Sequence, residues 1–158
     1  MSDEIRQRMW KAIAESPYLM VRLVGASEHA EPMTAILDEN VEGRFWFYMN
    51  RNNRLAPGGR AMAQFVSTGH DLFSCISGTL SAERDPAVVD RYWSHTVEAW
   101  FPGGRGDPDL LMMRFDLDNA EIWTRDSSFK GLFKLMRGRA IQQGELGEHT
   151  KVSLEAGG

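Results

Sequence analysis

Cysteine is almost missing from this chain: Cys75 is the only one in 158 residues. An internal disulfide is therefore excluded, and so is a zinc site built on a cysteine cluster. Long apolar runs are missing as well, none approaching the ~18 residues of a membrane-spanning helix. The opening MSDEIRQRMW lacks the apolar segment of a secretory signal. A cytoplasmic protein with no membrane association is the expectation. Positive charge is in deficit, 18 Lys and Arg against 22 Asp and Glu. General nucleic-acid binding needs a basic surface, so none is expected. Familiar catalytic signatures are absent too, with no P-loop, no G-x-S-x-G elbow and no dinucleotide fingerprint between a strand and a helix. His29, His70, His95 and His149 are scattered without an HxxxH spacing, which gives no support to a metal site.

What is present suits one folded domain: 42% of residues are hydrophobic, enough at this length for a core without staples. Asp3 and Glu4 sit where a helix N-terminus favours acids, and Ile5, Met9 and Ile13 recur at helical spacing until Pro17 stops them. Strand patterns follow at 18–24, 33–37, 45–50, 61–67 and 72–82, separated by Gly- and Asn-bearing turns. In the 72–82 stretch, Phe73, Cys75, Ser77 and Thr79 share one face while Leu72, Ser74, Ile76 and Leu80 share the other. Cys75 is expected there as a small buried side chain. Asp85-Pro86 predicts a capped helix over 87–95. Residues 110–117 and 121–124 read as a hairpin turning at Asp118-Asn119. Ser127 or Ser128 opens a basic helix with Phe129, Leu132, Phe133 and Met136 as its stripe. Strands joined by short turns imply antiparallel pairing. The expected fold is α+β, mainly β: an antiparallel split β-barrel of six or seven strands with flanking helices over 1–141. Residues 142–158 are expected to be a polar C-terminal tail.

Two stretches carry chemistry. FWFYMNRNNR ends an aromatic strand in two arginines and three asparagines. Guanidinium forks and turn amides suit a phosphate dianion, although a solvated polar turn has the same composition. In EAWFPGGRGDPDLL, Trp100 and Phe101 precede a Gly-rich loop, where Asp107 and Asp109 are expected to bond local backbone. Such aromatics are core, partner contacts or one wall of a ligand site.

Glu31-Pro32-Met33, Phe45-Trp46-Phe47-Tyr48 and AWFPGGRGDPDLLMMRF, with AEIWTRDSS beyond them, together resemble one family. It is the general stress protein 26-like branch of the pyridoxamine 5′-phosphate oxidase-related FMN-binding split barrels. The resemblance implies a homodimer with flavin sites at the interface, FMN as the cofactor (FAD as a variant) and a flavin-dependent oxidoreductase. It places the flavin ring along Met33, Thr34, Ala35, Tyr48 and Met49, and its phosphate at the turn of Asn50, Arg51, Asn53 and Arg54. Trp100, Phe101 and Trp123 would close the site from the other subunit. Two departures stand out: Glu31 replaces the family's usual arginine, and Pro57-Gly58-Gly59 replaces helix-forming residues. The vitamin B6 oxidase substrate motif is missing, so pyridoxamine phosphate is not the expected substrate. The alternative is a non-catalytic module that stores flavin or binds haem.

Overall fold

The structure is a computed structural model, and it describes residues 2–125 and 149–154. Helix α1 (Ser2–Glu15) opens the chain and buries Ile5, Met9 and Ile13, the face its spacing predicts. Six strands follow with antiparallel pairing: β1 (Tyr18–Leu23), β2 (Glu31–Thr34), β3 (Arg44–Asn50), β4 (Gly59–Val66), β5 (Leu72–Ala82) and β6 (Leu110–Thr124). Helices α2 (Pro86–Arg91) and α3 (His95–Glu98) lie between β5 and β6, and β7 (His149–Ser153) pairs with β6.

The strand order is β2-β1-β4-β5-β6-β3. Its two outer strands approach each other, and Ile36 bridges to Trp46 through paired hydrogen bonds of 2.8 and 3.0 Å. The sheet is thus curled into an antiparallel barrel that is joined at this bridge and split along the rest of the β2 and β3 edges. Period-two alternation fills the interior: Leu19 and Val21 from β1, Phe45 and Phe47 from β3, Ala61, Ala63 and Phe65 from β4. Phe45 stacks on Phe115 at 5.0 Å and meets Phe47 edge-on at 5.4 Å, which locks β3 against β6 through aromatic contact. The expected fold class is the one observed.

Four local expectations are corrected. Residues 110–124 form one long strand rather than a hairpin, because Asp118 is a bulge: Ser77 pairs with Asn119 and Gly78 with Leu117. The helix expected over 87–95 ends at Arg91, and Ser94 caps a new turn by accepting from the Val97 amide. The stretch taken as a polar tail contributes β7, whose Val152 and the following Leu154 are buried. Cys75 lies half-buried on the outer face of β5, not in the core. The basic helix expected from Ser127 lies outside the described residues.

Candidate functional site

The split between β2 and β3 opens into a cleft of about 340 Å³. Its walls are Met33 and Thr34 of β2, Tyr48, Met49 and Asn50 of β3, and Trp100 and Phe101 from the loop after α3. Backbone geometry makes this gap chemically active. Ile36 and Trp46 point both their N–H and C=O groups across the split. Groups two residues along a strand point the same way. Thr34 and Tyr48 therefore offer backbone donors and acceptors to the gap, beyond the bridge that ties the edges together. Volumes of ~300–1,000 Å³, mostly apolar with a few placed polar groups, are typical of small-molecule sites.

The wall opposite the strands is built by short capped turns. Asp85 accepts from the Ala87 amide at 3.0 Å and starts α2. Tyr48 then donates its hydroxyl to the Val89 carbonyl at 2.6 Å, fixing α2 over β3. Trp93 meets Tyr48 edge-on and also contacts Phe101, so the aromatics after α2 support the loop. Asp107 closes that loop, accepting from Gly103 and Asp109 amides at 3.0 and 2.9 Å, as the sequence leads one to expect. Phe101 is buried, whereas Trp100 is 80% exposed at the cleft mouth. Burial pushes the Tyr48 phenol up to about 12, so it stays neutral at physiological pH.

Seven of the twelve residues named from the sequence meet in this cleft: Met33, Thr34, Tyr48, Met49, Asn50, Trp100 and Phe101. Five do not. Ala35 is buried and its amide bonds Pro17. Asn53 is spent on its own turn, accepting from the Leu55 amide. Arg51 faces a different cleft, beyond the end of β3. Arg54 pairs with Glu31 at 3.1 Å and donates to the His29 carbonyl at 2.9 Å. Trp123 lies on the outer sheet surface with Phe73 and Cys75. Trp100 and Phe101, named for the site of a neighbouring subunit, also wall the cleft of their own barrel. Thr96 and Val97 also line it and were missed. The Ser94 cap, with Glu98 four residues on, was the available signal for that turn.

Tested against a flavin, this arrangement suits the ring better than the phosphate. The apolar walls and the two open strand edges match a flat ring with a hydrogen-bonding rim. At the phosphate end, the Arg54 guanidinium is already taken by a carboxylate.

A split antiparallel barrel with a ligand-sized cleft at the split defines the class of protein. The chain belongs to the family described as pyridoxamine 5'-phosphate oxidase like, which matches residues 4–146. It is 41% identical to the general stress FMN/FAD binding protein of the phytopathogen Xanthomonas citri, covering 80% of this chain and 93% of that one at a TM-score of 0.73. A protein of Xanthomonas campestris pv. campestris, named for the general stress family, is also 41% identical, with 82% and 92% covered and a TM-score of 0.74. A protein named general stress protein 26 from Jannaschia sp. CCS1 shares the fold at 22% identity, with 97% and 99% covered and a TM-score of 0.77. No curated protein matches the sequence. Among the described residues no helix is long and apolar enough to cross a membrane, and no group of His, Cys, Asp and Glu could hold a metal.

Proposed function

We propose that this is a flavin-binding stress-family protein that holds FMN, with FAD as the alternative, in the cleft between β2 and β3. The observation that carries the reading is the convergence of Met33, Thr34, Tyr48 and Met49 with Trp100 around one gap of ligand size. The Thr34 and Tyr48 backbones would meet the polar rim of the ring, and Trp100 would cover its open face. When bound, the flavin supplies hydride or electron transfer. The similarity to an FMN/FAD binding protein supports the same reading.

The proposal includes a homodimer. Tyr18, Met20 and Val66 leave large apolar side chains exposed on the outer sheet face, where Phe73, Cys75 and Trp123 line a groove. Pro32 belongs both to this groove and to the flavin cleft. A second copy docked on that face would border the cleft and shield it from water. Trp123 would then serve the interface rather than the ring.

Titration with FMN and FAD, followed by visible absorbance and flavin fluorescence, tests the assignment. Saturable micromolar binding is expected, and a colourless protein without such affinity would overturn it. One observation favours a second reading, a flavin-holding module without catalysis. Tyr48 is the one titratable side chain lining the cleft among the described residues, and it stays neutral, its hydroxyl donating to the Val89 carbonyl. NAD(P)H oxidation by the flavin-loaded protein separates the two, because a carrier leaves the nicotinamide unoxidised.

A further inference from the structure

A second cleft, of about 390 Å³, lies beyond the far end of β3. Three connections deliver an arginine to it: Arg51 from the β3–β4 turn, Arg84 from the link between β5 and α2, and Arg105 from the turn at Gly104–Gly106. Two carboxylates, Glu83 and Asp107, also line it. The balance of charge is close to even, so the deciding question is which groups still have bonding capacity.

Each oxygen of these two carboxylates already accepts one hydrogen bond. One Glu83 oxygen accepts from the Trp46 indole at 3.1 Å, and the other from the Asp85 amide at 3.3 Å. Both Asp107 oxygens are taken by the Gly103 and Asp109 amides. The cations are not committed to the same degree. Arg51 uses only its Nε, on the Pro108 carbonyl at 2.8 Å, which orients the guanidinium and leaves its terminal nitrogens uncommitted among the described residues. Arg84 has no hydrogen-bond or ion-pair partner among the described residues. Arg105 alone is paired, to Asp90. Each carboxylate oxygen thus already accepts one bond from a neutral N–H, while two guanidiniums keep unbonded N–H groups, and spare charged donors of this kind attract anions. Val89, Leu110 and Met112 line it as well and add some apolar contact.

We propose that this cleft is a binding site for a small organic anion, a carboxylate or a phosphate ester, recognised by Arg51 and Arg84 and backed by Arg105. Planar guanidinium forks match both oxyanions bidentately. The proposal does not rest on the flavin assignment, since it uses neither the flavin cleft nor the Glu31–Arg54 pair. It does remove Arg51 from the flavin phosphate and give it a different ligand.

Calorimetric titration of the full chain at constant ionic strength, with inorganic phosphate in one arm and succinate in the other, tests it. Saturable binding of at least one anion, with a Kd below about 1 mM, is expected. The tighter arm identifies the oxyanion class. Arg84→Gln, which breaks no contact seen among the described residues, should weaken that binding at least about fivefold, and adding Arg51→Gln should weaken it further. Arg54→Gln, in the other cleft, should leave it unchanged. Absence of saturable binding in both arms overturns the proposal, and so does binding that survives Arg84→Gln or is lost with Arg54→Gln.

Discussion

Arg54 and Glu31 form an ion pair of 3.1 Å beside the cleft between β2 and β3, with Glu31 one residue before Pro32 of its wall. One Glu31 oxygen, Oε1, is buried without a hydrogen-bond partner, so the carboxylate is not fully compensated. A phosphate approaching Arg54 must compete with this carboxylate. Glu31→Gln removes the competing charge and should tighten FMN about tenfold while leaving riboflavin nearly unchanged, the size expected for one charge-assisted hydrogen bond at ~1.5 kcal/mol. Fluorescence titrations with both flavins measure the ratio. Equal changes for the two ligands would show that the pair does not govern the phosphate.

Trp100 and Phe101 are adjacent but do different work. Trp100 is 80% exposed, so Trp100→Ala should leave stability within about 0.5 kcal/mol of the parent. It should weaken flavin about fivefold through lost aromatic contact of roughly 1 kcal/mol. Phe101 is 7% exposed and touches Trp93. Phe101→Ala should cost roughly 3 kcal/mol of stability. Urea denaturation together with flavin titration distinguishes the two outcomes.

Ser67 organises the β4–β5 turn. Its hydroxyl donates to Asp71 at 2.7 Å and accepts from the Asp71 and Leu72 amides at 3.2 and 3.0 Å. The Ser67 bond, helped by Arg8, lowers the Asp71 pKa from its ordinary 3.8. The folded chain therefore prefers the ionised carboxylate. That stabilisation is present above pH 3.8 and is lost as pH falls through the lower folded value. Ser67→Ala should cost about 2 kcal/mol at neutral pH, by loss of these bonds. Its deficit against the parent should shrink at acid pH, where the parent loses the same contribution. Urea midpoints at pH 7 and pH 3 give the comparison.

Much of this architecture was legible because β-strands advertise alternation and α1 advertises its stripe. The cleft was legible for a different reason: the aromatic strand Phe45–Tyr48 and the loop at Trp100 carry local signatures. What failed was partnership. Arg51 and Arg54 look equivalent in sequence, yet one carbonyl at Pro108 and one carboxylate at Glu31 send them to different places. For Trp123, alternation gives a face but not which surface that face meets. The segment at His149–Ser153 was missed because Val152, with Leu154 just beyond the strand, gains meaning only once β6 offers an edge.

Asp118-Asn119 misled the reading of β6 because turn residues also suit a bulge, and Gly78 is the other half of that device. Asp118 is the extra residue opposite the Ser77–Gly78 step, and its carbonyl accepts instead from the Leu154 amide at 2.7 Å. The bulge thus ties β5 and β6 to the chain just beyond β7. It also presses β6 against β5: a Cβ on Gly78 would sit 2.4 Å from the Asp116 carbonyl oxygen and 2.4 Å from the Phe115 ring. Phe115 is stacked on Phe45 and fully buried, so it has no room to retreat. Gly78→Ala should therefore cost about 3 kcal/mol or more, at the upper end of overpacking penalties. Gly59→Ala is the control for added bulk in β4. Nothing lies within 4 Å of its Cβ, and its φ of 107° confines any cost to backbone strain. If urea denaturation shows Gly78→Ala to be as stable as the parent, the bulge is soft and β6 can slide along β5 to accommodate a side chain.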